Sequence, residues 1–301
     1  MEKNNIIVKL DQLDKSIKAK KILSGINLTV RKGESIGLVG PNGAGKTTLL
    51  SLIQGIKKPT SGSVEIFGDN PNKPVQRLKL GVSPQSISLP DTFKAGELVE
   101  FVRNHYPNKV DFKSLIEEFH LESIVNSKVG GLSGGQKRLL STCLAFAGNP
   151  ELVLLDEPTT GLDVKTRDLL WKVIISRNVR GGTTIIVTSH YLEDIETLTQ
   201  RIVKIDKGQI HIDEELSRLK STSRRMNVSI KVENIDPFTQ LPSVESYTVK
   251  DNTIILKTLN SEELIKEIVM LNEKFEDLLI FEDRLDHYFM SNTEEIRQVS
   301  P

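Results

Sequence analysis

Three short stretches of this chain carry residue types whose spacing suits them to chemistry. The first is Gly40-Pro41-Asn42-Gly43-Ala44-Gly45-Lys46-Thr47-Thr48, which fits the pattern G-x-x-x-x-G-K-[ST] between a predicted strand and a predicted helix. Glycines let the main chain adopt unusual dihedrals and lie close to phosphate oxygens. Main-chain N–H groups and a helix N-terminus add positive potential, Lys46 adds a cation, and Thr47 adds a hydroxyl suited to Mg²⁺. Together these make a phosphate cradle. The second stretch is Leu152-Val153-Leu154-Leu155-Asp156-Glu157, a buried strand ending in adjacent carboxylates. Asp156 is suited to hold Mg²⁺ through its hydration shell, and Glu157 to orient and deprotonate an attacking water. The third is Leu132-Ser133-Gly134-Gly135-Gln136. Here Ser133 predicts a helix N-cap, and a capped, glycine-exposed helix start favours anions.

These stretches need a scaffold. Residues 1 to about 220 alternate strands with helices, the pattern of a parallel sheet covered on both faces. Ile36–Val39, Leu152–Leu155 and Ile185–Val187 are nearly continuous apolar runs, as central strands of such a sheet should be. Each runs into a loop rich in Gly, Asp or Ser at the sheet edge where ligands collect. Leu49, Leu52, Ile53 and Ile56 recur at helical spacing behind the cradle. Between Lys79 and Pro150 the pattern turns helical, with helices expected over Ala95–Tyr106 and Asp111–Leu121. From Ser221 onward the spacing predicts strands at Met226–Val232, Tyr247–Val249 and Thr253–Leu256, and helices over Ser261–Asn272 and Glu282–Asn292. Eleven acids against four bases in residues 261–301 read as a solvated acidic face.

The 301 residues, 38% hydrophobic and 27% charged, suit a globular protein of about two domains. Forty basic residues balance forty acidic ones, so no overall field gathers nucleic acid. A single cysteine, Cys143, excludes an internal disulfide and a cysteine-based zinc cage. The stretch from Met1 to Asp11 is too short and too soon charged for a signal peptide. No later run approaches the roughly 18 apolar residues of a membrane span, so membrane work is expected to go through a partner.

Taken together the motifs resemble the ATPase subunit of ATP-binding-cassette (ABC) transporters over about residues 4–215. Gly40 to Thr48 is similar to the family's Walker A motif, Leu132 to Gln136 to its signature, and Leu152 to Glu157 to its Walker B. Gly161-Leu162-Asp163 looks like its D-loop, Gln85 its Q-loop glutamine, and His190 its switch histidine. The resemblance implies an α/β P-loop NTPase cassette fold: a mixed sheet core, an antiparallel β subdomain and a helical subdomain at about 86–150. It places the cassette at 1–220 and a small α+β accessory domain at 221–301. It implies ATP and Mg²⁺ as cofactors, held by Gly40, Pro41, Asn42, Gly43, Ala44, Gly45, Lys46, Thr47 and Thr48. The Ser133, Gly134, Gly135, Gln136 and Asp163 of a second cassette would complete the site. Thr47, Gln85 and Asp156 would take the metal, while Glu157, His190 and Gln85 serve hydrolysis. A transmembrane permease is the other implied partner, with no nucleic acid, and the chain would lie on the cytoplasmic face of the membrane through that permease.

One departure matters. Where the family usually stacks an aromatic residue on adenine, Ile17 stands here, which predicts weaker discrimination of adenine. Pro158 to Asp163, Arg167, Leu170-Trp171 and the extension from Leu278 to Phe289 look like the drug and peptide exporter branch. Leu89, Phe93, Leu98 and Phe101 lie where the family docks its membrane subunit. His105, His120, His211 and His287 read as ordinary structural or surface residues. The alternative is an ABC ATPase acting on ribosomes, DNA or cofactor assembly. One Walker A motif and one signature, without a long insertion between Gln85 and Ser133, argue against it.

Overall fold

The computed structural model describes residues 5–222 and 226–282. The chain divides into two compact units, residues 1–216 and 217–301. In the first, β1 (Ile6–Ile17) and β2 (Lys20–Arg31) form a long hairpin, followed by β3 (Ser35–Val39), α1 (Lys46–Ile53), β4 (Ser61–Ile66), α2 (Pro74–Arg77) and β5 (Leu80–Ser83). Next come α3 (Ala95–Arg103), α4 (Phe112–Glu118), α5 (Gly134–Phe146), β6 (Leu152–Asp156), α6 (Val164–Val179), β7 (Thr184–Thr188) and α7 (Leu192–Leu198). The strands β8 (Arg201–Asp206) and β9 (Gln209–Glu215) lead into α8 (Leu216–Thr222).

Two sheets form. The larger runs β5-β6-β7-β3-β8-β9, parallel as far as β8, with β9 turned back antiparallel. Every residue of β3, β6 and β7 is buried, which is why these strands lack the alternation of a one-sided sheet. The smaller sheet, β2-β1-β4, is antiparallel. Leu10, Leu28 and Ile66 from it share one core with Leu49 and Leu52 of α1 and with Ile36 and Leu154 of the larger sheet.

The antiparallel sheet is the β subdomain that the family resemblance implies, while several details differ from the expectation. The helix expected at Ala95 stops at Arg103, and the one near Asp111 spans Phe112–Glu118 with Asp111 as its N-cap. Ile56 is not on the apolar face of α1. The helix ends at Ile53, Gly55 takes a left-handed φ of 71°, and Ile56 stands 71% exposed. Leu98 packs into the core, whereas Phe93 and Phe101 are exposed.

The second unit comprises β10 (Met226–Val232), α9 (Asp236–Thr239), β11 (Ser246–Lys250), β12 (Thr253–Thr258), α10 (Ser261–Met270) and β13 (Phe275–Glu282). Its sheet order is β11-β12-β10-β13, with all neighbours antiparallel, the arrangement of a split β-α-β-β-α-β unit. Leu264 and Ile268 of α10 pack on Val228, Ile230, Ile254 and Leu256. The expected helix over Glu282–Asn292 is corrected at its start, because Glu282 closes a strand. Its remainder, the last part of the Leu278–Phe289 extension, and His287 lie outside the described residues.

Candidate functional site

The cradle is built where β3 ends. Gly40 has φ 152° and turns the chain so tightly that a Cβ there would sit 2.0 Å from the Ile205 carbonyl oxygen. No residue with a side chain fits that contact. Gly45 then caps α1 in a left-handed conformation, so the first free N–H groups of the helix open onto the loop. The Lys46 ammonium, buried with its stem, donates to the carbonyl oxygens of Gly40 at 2.6 Å and Pro41 at 3.2 Å. Burial holds its pKa below the ordinary lysine value, and the nearby Glu157 and Asp156 carboxylates pull the other way.

Across from it, β6 delivers the carboxylates. Asp156, buried, accepts from Thr188 Oγ1 at 2.6 Å and from Thr47 Oγ1 at 3.2 Å. One carboxylate thus joins the cradle to β7. Glu157 is also buried, and its backbone is left-handed at φ 54°, a conformation that costs a non-glycine residue about 1–3 kcal/mol. It is held there by its N–H, which donates to the Thr188 carbonyl at 3.1 Å and to Thr188 Oγ1 at 3.0 Å. Its Oε1 lies 2.5 Å from His190 Nε2, and its Oε2 accepts from Thr160 Oγ1 at 3.2 Å. A carboxylate can only accept, so Nε2 is the protonated nitrogen of that imidazole.

The third stretch forms as its sequence predicts. Ser133 Oγ accepts from the Gln136 N–H at 3.2 Å, and Gln136 Oε1 accepts from the Ser133 N–H at 2.9 Å, a capping box that starts α5. The Ser133 hydroxyl keeps its own proton free to donate. Beside it lies a hollow of about 300 Å³ lined by Ser133, Gly135, Gln136, Asp163 and Thr166, and also by His120.

Comparison with known proteins gives the family. The family model described as ABC transporter matches residues 23–160. The chain is 38% identical over 209 residues to the Nod factor export ATP-binding protein I of Burkholderia thailandensis, covering 67% of this chain and 68% of that one. The chain belongs to the ABC transporter family, as an ATP-binding subunit. The protein of the same name from Rhizobium sp. strain N33 is 36% identical over 213 residues, covering 68% and 70% of the two chains. The dimeric post-hydrolysis structure of the ATP-binding cassette MJ0796 with ADP and Pi superposes with a TM-score of 0.65 at 28% identity. That alignment covers 70% of this chain and 99% of the other.

In this ABC cassette, then, Thr47, Asp156, Glu157 and His190 are joined through Thr188, Lys46 is tied to Gly40 and Pro41 of the cradle, and Gln85, Asp163 and Ile17 make other contacts. Gln85 is exposed, and its carbonyl oxygen accepts from Arg138 at 2.6 Å. Asp163 is the N-cap of α6. Its carboxylate accepts from the Thr166 N–H at 3.0 Å and hydroxyl at 2.7 Å, and these bonds hold its pKa below the usual aspartate value. Ile17 ends β1 opposite Lys20 and is 42% exposed. Two buried residues escaped the sequence reading. Arg138 on α5 donates to the carbonyls of Pro84 at 2.8 Å and Gln85 at 2.6 Å. Asp194 on α7 accepts from Thr159, Ser189 and Trp171. Both lie in windows that read as ordinary charged helix faces.

Proposed function

We propose that this chain is the ATP-hydrolysing engine of an exporter, working as one of two cassettes beneath a separate permease. The observation that carries the reading is the hydrogen-bonded path from Thr47 on the cradle, through Asp156 and Thr188, to the Glu157–His190 pair. The cradle N–H groups and Lys46 would bind the β- and γ-phosphates, so that catalysis is mostly positioning and charge stabilisation. Glu157 would take a proton from the attacking water. Each of its oxygens accepts one described hydrogen bond and keeps a lone pair for that water. His190 orients the carboxylate and stands 40% exposed, where it can meet the γ-phosphate.

Thr47 and Asp156 are hard oxygen donors already within 3.2 Å of each other, a set that fits Mg²⁺, with Gln85 as a further oxygen ligand on its loop. Bound there, Mg²⁺ would neutralise phosphate charge. The cradle of one cassette and the Ser133-Gly134-Gly135 corner of the other would share each ATP, with Gln136 fixing the serine and Asp163 lying beside it. The γ-phosphate is then what holds the two cassettes closed.

Both curated relatives are export subunits by name, which supports export and argues against a ribosome- or DNA-directed role. No described helix is long and apolar enough to cross a membrane, and the proposal assigns the transport path to the permease, leaving this chain on the cytoplasmic face. A hollow of about 670 Å³ at α3, lined by Phe93, Glu97, Phe101 and Phe112, supports docking of the permease there. The exporter-branch likeness makes a drug, peptide or lipid-like molecule the cargo class.

The test is Glu157→Gln in the full chain, with hydrolysis and light scattering measured under saturating Mg·ATP. Loss of a general base predicts a fall in turnover of about 10²–10⁴-fold, together with accumulation of an ATP-bound dimer. A variant that stays monomeric refutes the shared site.

A further inference from the structure

Asp194 is completely buried, on the same face of α7 as Ile195 and Leu198. An ionised carboxylate is costly in such surroundings unless hydrogen bonds satisfy it. Its Oδ2 accepts from Thr159 Oγ1 and from Ser189 Oγ, each at 2.5 Å, and its Oδ1 from Trp171 Nε1 at 3.0 Å. Among the described residues Asp194 makes no ion pair, so what holds it is directional bonding to specific donors.

Those donors have meaningful places in the chain. Thr159 comes two residues after Glu157, and Ser189 immediately precedes His190. Ser189 Oγ also accepts from the Tyr191 N–H at 2.9 Å, so the backbone is fixed on both sides of His190. The ladder between β6 and β7 reaches only as far as Asp156 opposite Thr188. Past that point the two loops leave the sheet, Glu157 in a left-handed conformation, and their side chains meet at 2.5 Å.

We propose that Asp194 is the positioning residue of the hydrolytic pair: a buried carboxylate that bonds the loop after Glu157 and the loop before His190 to a single point. The inference rests on Glu157 acting as the base. Fully buried, Asp194 acts through these hydrogen bonds rather than on the reacting atoms. It sets where the Glu157 carboxylate stands relative to the γ-phosphate, and displacement of a reacting group by about 1 Å can cost 10²-fold in rate.

Thr159→Val keeps the volume and removes one donor, and Thr159→Ser restores the hydroxyl. Steady-state hydrolysis of Mg·ATP by the full chain gives kcat and KM, and a thermal melt shows that each variant folds. We expect Thr159→Val to lose about 10- to 100-fold in kcat with KM within about twofold, and Thr159→Ser to return to within about threefold of the parent. Val at full speed, Ser failing to recover, or KM rising in step with the loss of kcat would each overturn the proposal. Should the Val variant not fold, Ser189→Ala carries the same expectation and the same refutation. Glu157→Gln in the same assay separates the two readings: hydrolysis like the parent's refutes the base assignment and this inference with it, whereas loss of hydrolysis in Glu157→Gln beside full-speed Thr159→Val refutes the Asp194 inference alone.

Discussion

Arg138→Met tests whether the link between α5 and the Gln85 loop matters to the site. The guanidinium is only 7% exposed and spans two carbonyl oxygens, Pro84 at 2.8 Å and Gln85 at 2.6 Å. Hydrogen bonds to a charged group contribute about 1.5–3 kcal/mol each, so the gross loss is about 3–6 kcal/mol. Two effects offset it. Burial pushes the guanidinium pKa below its ordinary value, with Glu157 and Asp156 opposing, and removing a desolvated ion recovers up to several kcal/mol. Pro84 and Gln85 are themselves exposed, so water replaces part of what the carbonyls lose. The net destabilisation is about 1–3 kcal/mol, and for a unit of this size each kcal/mol lowers Tm by about 2–4 °C. Arg138→Lys should fall between, because one ammonium cannot reproduce the rigid fork. Calorimetry gives Tm, and a Mg²⁺ titration of hydrolysis reports on Gln85, whose loop the substitution releases; the half-saturating Mg²⁺ concentration should rise. A Met variant that melts within about 1 °C of the parent, with the same Mg²⁺ dependence, would refute the reasoning.

Two other perturbations reach different parts of the cassette. Burial pushes the Cys143 thiol well above its ordinary value of 9.0, so the folded protein should resist alkylation at pH 8 and react fully in denaturant; stoichiometric labelling of the native state contradicts its burial. Because that folded-state pKa is raised, stability is fully present below pH 9 and falls as the pH climbs above it; Cys143→Ala should flatten this slope in urea titrations between pH 8 and 10. At the base end, Ile17→Tyr should tighten ATP binding relative to GTP. Aromatic stacking of about 1–3 kcal/mol per base sets the scale, roughly 5- to 150-fold. Displacement of a fluorescent nucleotide reads both affinities, and no change in either removes Ile17 from the base site.

What the sequence shows and what it hides follow from how each contact is made. The cradle is a local turn that closes on its own backbone, with Lys46 bonded back to Gly40 and Pro41, so Gly40, Gly45, Lys46 and Thr47 are neighbours in the chain and are legible as a motif. The same holds for the Ser133–Gln136 capping box, closed within four residues, and for β3, β6 and β7, whose burial on both faces writes itself as unbroken apolar runs. Ile56 carries the helical spacing past Gly55, whose left-handed backbone follows the end of α1, so the spacing alone points to the wrong face. The strand β13 gave no warning because Leu278–Phe281 do not alternate.

Arg138 and Asp194 are a different case. Arg138 acts 53 and 54 residues away, and Asp194 reaches back 35 residues to Thr159. Glu193, Asp194 and Glu196 look alike in the sequence, yet only Asp194 is fully buried. A group that touches phosphate needs a local backbone built around it and therefore leaves a pattern. A group that places another group needs one side chain arriving from elsewhere in the fold and leaves none. The linked set at this site should accordingly be tested from both directions, since substitutions confined to the motifs would leave unexamined the buried carboxylate on which the spacing of Glu157 and His190 depends.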